Sequence, residues 1–506
     1  MKVLSFPRRI AAAHAADPRR ARQAFFALLA VLVLFTSVKY AIKIGKPGDT
    51  GQQTRSAFLR WREMVNGVFN GANVYAGKNE YPNPPIMALV LRPYAALPPT
   101  VGAMTWFYTK VMMAVLACVW VFRLCAPGEA AAEPNPPTPL PKREGGEETA
   151  NTPAPPSEEG VAGGTQGSPS QTGKGVGGLG SWDLARAAAI LLCLPSLLGD
   201  LTHGNVNIFI LFLVVGCLEA FRRRLDTLAG LVLALAVACK VTPLLFVAYF
   251  GWKRCWRVLA ATGVGLVLWL AVVPGVTFGW DRNRELMGDW YALMVERPLL
   301  KGEITTEHPN QALTGFVYRL FTHSPSYIVY EKTPEGDVPT PGAYHNLTDI
   351  GRPAAWVVVK LLTAALALAV VLLCRWPVRG IADPRHGWRF AAECGLICLG
   401  MLLLSERTWK HHAVVLVLPL AALTSALATA ELPRRVWNFV CGALVACCVL
   451  MATPGFLAGR AADLALVYGA FTFAFVLLAV AVGLLLACRS RDMGGLGEPH
   501  AVANPT

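Results

Sequence analysis

Charge is what this sequence has least of. Asp, Glu, Lys and Arg make up 15% of its 506 residues, where a soluble domain carries about 25%. With 54% hydrophobic residues and a mean hydropathy of +0.44, that shortage excludes an ordinary water-soluble globule. Apolar–polar alternation is missing too, and with it the signature of a membrane β-barrel. The two long polar loops contain no cysteine. All 13 cysteines fall in apolar blocks or at their edges, without the spacing of a zinc site or of a disulfide framework. No small-x-small cleavage pattern follows the first apolar block, Phe25 to Val38, so that block reads as a retained span. There is no internal repeat and no soluble domain of ordinary size between the blocks.

What is present is a series of uncharged blocks of about 20 residues, long enough to cross a hydrocarbon core of about 30 Å as helix. Backbone polar groups cannot stay unpaired in lipid, so these blocks should be helical. The expected fold class is an all-α polytopic membrane protein. Candidate spans are 24–44, 100–124, 182–199, 205–221, 227–250, 256–275, 353–374, 390–404, 411–430, 435–453 and 464–487. Segment 227–250 holds Lys240 and Pro243 at its centre. A charge and a proline at mid-depth point to two half-spans meeting at the far face. Counted as a hairpin, the segment brings the total to about 11–12 transmembrane helices.

The net charge of +14 would suggest a nucleic-acid partner in a soluble protein. Here the cations flank apolar blocks, so topology accounts for them and no nucleic acid is expected. With the N-terminus inside and 227–250 a hairpin, Arg222 to Arg224, Lys253, Arg254, Arg257, Arg385, Arg389, Arg434 and Arg435 all fall on the cytoplasmic side. The expected organisation is then N-terminal spans and a first extracytoplasmic loop in 1–125, a disordered cytoplasmic linker in 126–181, and central spans with the broken hairpin in 182–275. A second extracytoplasmic loop in 276–352, C-terminal spans in 353–488 and a cytoplasmic tail in 489–506 complete it. The linker is rich in Pro, Gly, Glu, Ser and Thr and cannot bury a core. The expected location is the cell inner (plasma) membrane, with the active site extracytoplasmic.

The two long outer loops are too long for simple connectors and hold most of the chemistry. Asp49, just above the first span, is placed to act as general base on a sugar hydroxyl; such a residue also serves merely to solvate a loop. The same loop carries Tyr75 and Tyr81, then an apolar stretch, Pro84 to Pro98, too short to span and suited to the interface. His203, Asn205 and Asn207 open the fourth span, where amides are costly unless bonded to neighbours or ligand. Lys240 offers a cation for a phosphate or pyrophosphate leaving group, or simply snorkels to the interface. Asn310 and Gln311 carry amides suited to sugar hydroxyls, although Asn310 equally suits a helix N-cap. Arg407, Trp409, His411 and His412 cluster at a helix start. Adjacent histidines face different sides of a helix, so anion binding is expected there and a metal is not.

Together these motifs resemble the bacterial polyprenol-phosphate-mannose-dependent α-mannosyltransferases of the phosphatidylinositol-mannoside type. The matching parts are Asp49, Gly71 to Tyr75, Tyr81 to Pro98, His203 to Asn207, Ala229 to Pro243, His308 to Gly315 with Arg319, and Ser405 to His412. The resemblance implies a C-type glycosyltransferase (GT-C) fold, a polyprenyl-phosphate sugar donor, an inverting single displacement, no cofactor, and a catalytic aspartate at Asp49. Two features depart from the family's pattern. Asp49 lies farther from the Gly71-to-Tyr75 element than usual, which keeps Glu63 and Glu80 open as alternative bases. Glu406 stands where the family has proline after Ser405. The acceptor, whether glycolipid, glycan or protein, is left open. A lipid-linked sugar transporter or flippase is the rival reading, since a broken span with a cation suits transport.

Overall fold

The computed structural model describes residues 17–45, 56–76, 81–126, 178–297, 302–333, 336–374 and 385–488. Asp49, Glu80, most of the expected linker 126–181 and the tail 489–506 lie outside the described residues. Within them the regular structure is helical apart from one antiparallel hairpin, β1 (Pro325–Thr333) with β2 (Gly336–Tyr344), in which Ile328 faces Pro341 and Glu331 faces Val338.

Among the described residues eight helices are long and apolar enough to cross a membrane. They are α1 (Pro18–Gly45), α4 (Pro99–Cys125), α5 (Gly178–His203), α9 (Trp256–Phe278), α12 (Arg352–Leu373), α14 (Val417–Thr429, preceded by a 3-10 turn over Lys410–Leu416), α15 (Arg434–Phe456) and α17 (Ala470–Ala487). The chain is a multi-pass membrane protein. Four other expected crossings are shorter: α6 (Asn207–Arg222), α7 (Asp226–Cys239), α8 (Leu244–Trp252) and α13 (Trp388–Leu403). The remaining helices, α2 (Ala57–Phe69), α3 (Pro85–Ala95), α10 (Trp280–Tyr291), α11 (Leu313–Phe321) and α16 (Arg460–Val467), belong to the loops.

Segment 227–250 consists of two helices, α7 and α8. α7 ends at Cys239, and Lys240 is extended at φ −157°, ψ 129°. Both ends of the segment return to one face: Asp226 pairs with Arg385, and Lys253 pairs with Glu393 at 2.7 Å. The turns on that face pass through Arg224 and Arg254 at positive φ, and Glu219 gathers Arg222 and Arg223 there, each at 2.7 Å. The opposite face carries the ends of α1, α5 and α7 and the start of α14.

Helices α7 and α9 approach closely because Gly230 faces α9. A Cβ there would lie 2.4 Å from Val258 O, the small-residue contact typical of membrane helices. α9 also contains Pro274, which cannot donate to the carbonyl four residues back. The helix widens to a π-turn over Leu268–Val272, and Asn283 Nδ2 donates to the stranded Leu270 carbonyl at 3.0 Å. At the centre, α14 is buried along almost its whole length, whereas α12 stands at the rim with only Ala355 and Val359 buried.

Candidate active site

The second long loop folds over the end of the bundle and holds the run before α14. Asn310 Nδ2 donates to Thr305 O at 2.8 Å and Glu406 O at 3.0 Å, and its Oδ1 accepts from Ala312 N at 3.0 Å and Thr408 N at 2.9 Å. Gln311 Nε2 donates to His308 O at 2.7 Å and Leu466 O at 2.8 Å, while its Oε1 takes Phe471 N at 3.2 Å. Both side chains are fully buried. The amides expected to meet a sugar are here bonded to the protein itself at every polar atom. Asn310 holds the segment 404–409 through Glu406 O and Thr408 N, while Gln311 ties the loop to Leu466 and Phe471. Arg319, also fully buried, ties the same loop down through Val467 O, Glu307 O and Asn310 O at 2.9, 3.0 and 2.9 Å. Burial pulls its guanidinium down to about 10. Arg407 lies on the exposed side of the loop, bonded to Thr305 Oγ1 at 2.7 Å and Glu406 at 3.0 Å.

The clamped run delivers His411 and His412 to the bundle. The His411 ring stacks on His203, centroids 4.3 Å apart, and its Nε2 lies 3.1 Å from Asn205 Nδ2. Trp409 meets His411 edge-on at 5.6 Å. His412 is fixed by Trp409 N at 3.4 Å from its Nδ1. Between His203 and Asn205, Gly204 turns at φ +73°, close against Ser56 and Tyr40. Beside these rings a small pocket is lined by Asn207, Lys240, Thr242, Ser405 and His412, with Ile210, Met401, Leu402 and Val415 as its apolar wall. Lys240 Nζ donates to Asn207 Oδ1 at 2.7 Å. Among the described residues no carboxylate lines this pocket. A cation next to two hydroxyls and an imidazole suits a phosphate group.

Of the sequence-predicted residues, His203, Asn205, Asn207, Lys240, Trp409, His411 and His412 therefore come together. Tyr75 and Tyr81 pack against each other, centroids 6.0 Å apart, behind the first loop. Tyr75 donates to Asn83 O at 2.8 Å, and burial pushes both phenols well above their ordinary range. Glu63 is exposed on α2. Among the described residues no cluster of three His, Cys, Asp or Glu side chains is placed to hold a metal ion. Sequence reasoning passed over Lys110 and Asp200, whose fully buried ion pair lies directly behind Asn207. Lys110 was findable, being a cation well inside an apolar span.

The model of glycosyltransferase family 87 matches residues 81–405, more than half of the sequence. The chain belongs to glycosyltransferase family 87. The matched region takes in the Asn205–Asn207 turn, Lys240 and the loop that clamps the site. A relative from Mycolicibacterium smegmatis, named polyprenol-phosphate-mannose-dependent alpha-(1-2)-phosphatidylinositol mannoside mannosyltransferase, is 27% identical over 256 residues, 50% of this chain and 48% of that protein. The chain thus spans about half the length of the curated relative it matches. The crystal structure of apo ArnT from Cupriavidus metallidurans superposes with a TM-score of 0.38 at 12% identity, over 92% of this chain and 78% of that one.

Proposed function

We propose that this family 87 chain is a membrane glycosyltransferase of GT-C type. It moves a hexose, mannose by the name of its relative, from a polyprenyl-phosphate donor to an acceptor hydroxyl on the extracytoplasmic side of the cell inner membrane. The observation that carries this reading is the pocket in which Lys240, Thr242, Ser405 and His412 converge with no carboxylate among them. It has the charge and donors to hold a departing phosphate.

The acceptor oxygen attacks the anomeric carbon from the face opposite the phosphate. The new C–O bond forms as the bond from that carbon to the phosphate oxygen breaks, and the phosphate keeps the electron pair. Configuration inverts. Asp49 takes the acceptor's proton; its placement lies outside the described residues and its role rests on the sequence. One base suffices, because a phosphate held by cations is a good leaving group. Inverting glycosidases need a second carboxylate only because an alcohol must be protonated as it leaves. The arginine-rich face formed by Arg222, Arg223, Lys253 and Arg385 supports a cytoplasmic placement for that side, leaving the pocket on the far one.

The test is transfer from radiolabelled polyprenyl-phosphate mannose into a crude lipid extract of the source cells by purified wild type and Asp49→Asn, with melting curves for both. Transfer by wild type and its loss in a folded Asp49→Asn is expected. Transfer by both moves the base to Glu63 or Glu80. No transfer by either, across several polyprenyl-phosphate sugars, overturns the reading and turns attention to a transporter.

A further inference from the structure

Lys110 and Asp200, ninety residues apart, form an ion pair with neither side chain exposed, Nζ to Oδ2 3.2 Å. The chemistry above makes no use of it. Such a pair is unfavourable unless further hydrogen bonds satisfy both partners, and here they do. Lys110 also donates to Asp200 O at 2.8 Å. Asp200 Oδ2 faces Ile208 N at 3.4 Å, and Oδ1 accepts from Asn207 Nδ2 at 3.0 Å.

The Asn207 amide has two unlike ends, and its neighbours decide between them. A carboxylate only accepts, so the end toward Asp200 must be the NH2 group. The carbonyl oxygen is then left for Lys240, an ammonium that only donates, and the two lie 2.7 Å apart. If residue 200 carried a neutral amide, the Asn207 group could turn over and present its own donors to Lys240. Lys110 balances the charge of Asp200, so the charge of Lys240 stays available to a ligand.

We propose that Asp200 is a positioning residue: its charge, kept buried by Lys110, fixes the Asn207 amide so that the carbonyl oxygen aims the Lys240 ammonium into the phosphate pocket. This rests on the reading of Lys240 as a phosphate-holding group.

The experiment measures binding of a short-chain polyprenyl phosphate to the full chain in nanodiscs, with the matching polyprenol as control and a melting curve for each variant. Lys240→Met, Asp200→Asn, Asn207→Leu and the double variant Lys110→Met/Asp200→Asn are each expected to weaken binding about tenfold or more, the effect of losing one charge-assisted hydrogen bond. The double variant should melt close to wild type, because no charge is left buried alone. Adding Asn207→Leu to Asp200→Asn should cost no further affinity, since both cut the same link. If Asp200→Asn does not fold, Asn207→Leu carries the expectation with the ion pair intact. Wild-type affinity in the folded Asp200 and Asn207 variants, with binding lost in Lys240→Met, overturns the positioning role alone. Wild-type affinity in Lys240→Met, or no binding by wild type, overturns the phosphate reading and the positioning role with it.

Discussion

His203 and His411 lie ring over ring, centroids 4.3 Å apart, although 411 belongs to a different helix and a different loop. The contact makes His411 a strut and leaves His412, its neighbour at 4.9 Å, to line the proposed phosphate pocket. The two histidines should therefore separate on mutation. His412→Gln is expected to raise the donor KM by about 10- to 100-fold, the effect of losing a hydrogen bond to a charged group, with little change in melting. His411→Phe keeps a ring on His203 but strands Asn205 Nδ2. It should cost about 1–3 kcal/mol of stability. Paired melting curves and donor titrations check this, and the opposite pattern would exchange the two roles.

Gly204 makes the turn that brings His203 and Asn205 to the same spot. Its φ is +73°, and a Cβ would meet Ser56 Oγ at 2.6 Å and Tyr40 Oη at 3.0 Å. Those two hydroxyls are themselves bonded at 2.8 Å. Gly204→Ala thus adds left-handed strain of about 1–2 kcal/mol and breaks a buried hydrogen bond worth about 1 kcal/mol. A melting loss on that scale is expected, with partial recovery in Gly204→Ala/Ser56→Gly, where the clashing oxygen is gone. An unaffected Gly204→Ala would contradict the turn.

Asn310 clamps the loop that carries the site. Removing its side chain leaves the Thr408 and Ala312 amides without the acceptor they now share. At about 1–3 kcal/mol for each stranded buried group, Asn310→Ala should be strongly destabilising. Asn310→Asp keeps the acceptor but sets a buried carboxylate oxygen against Thr305 O and Glu406 O, so it too should fall well below wild type. Denaturation in detergent orders the three proteins. Equal stability for all three would remove the clamp.

Asn310 and Gln311 also show where sequence reading reached its limit. Residue type and position marked them as polar groups in an outer loop, but only the fold shows that every hydrogen-bonding atom is taken up, by Thr305, Glu406, Ala312 and Thr408 for Asn310 and by His308, Leu466 and Phe471 for Gln311. The broken hairpin around Lys240 was legible because a charge and a proline in an apolar run are costly in lipid. The pairing of His203 with His411 and of Lys110 with Asp200 was not, because nothing local specifies a partner about ninety or two hundred residues away. Tyr75 and Tyr81 stood out as aromatic loop residues, and their burial against each other depends on how the first loop closes over α3. Among the described residues eight of the expected crossings are long apolar helices, and α6, α7, α8 and α13 are the shorter four. They start or stop short where the chain turns in to build the pocket.

The outer loop should also make stability depend on pH through His308. Its ring lies 4.4 Å from Tyr327, with Nδ1 3.3 Å from Ser326 O and Nε2 3.6 Å from Asp463. Burial lowers its pKa from the ordinary 6.5, and the Arg319 charge lowers it further. The Ser326 carbonyl, Asp463 and Glu307 pull the other way without cancelling the shift. The folded protein therefore binds a proton at His308 less readily than the unfolded chain does. Its contribution is fully present above an unfolded-state pKa of about 6.5 and is lost as pH falls from there through the lower folded value. Melting temperature should hold steady from pH 8 to 7 and drop toward pH 5, and His308→Gln, which cannot titrate, should flatten the drop. Fluorescence melts of both proteins across that range decide the matter: an equal slope in His308→Gln would assign the acid sensitivity to other groups.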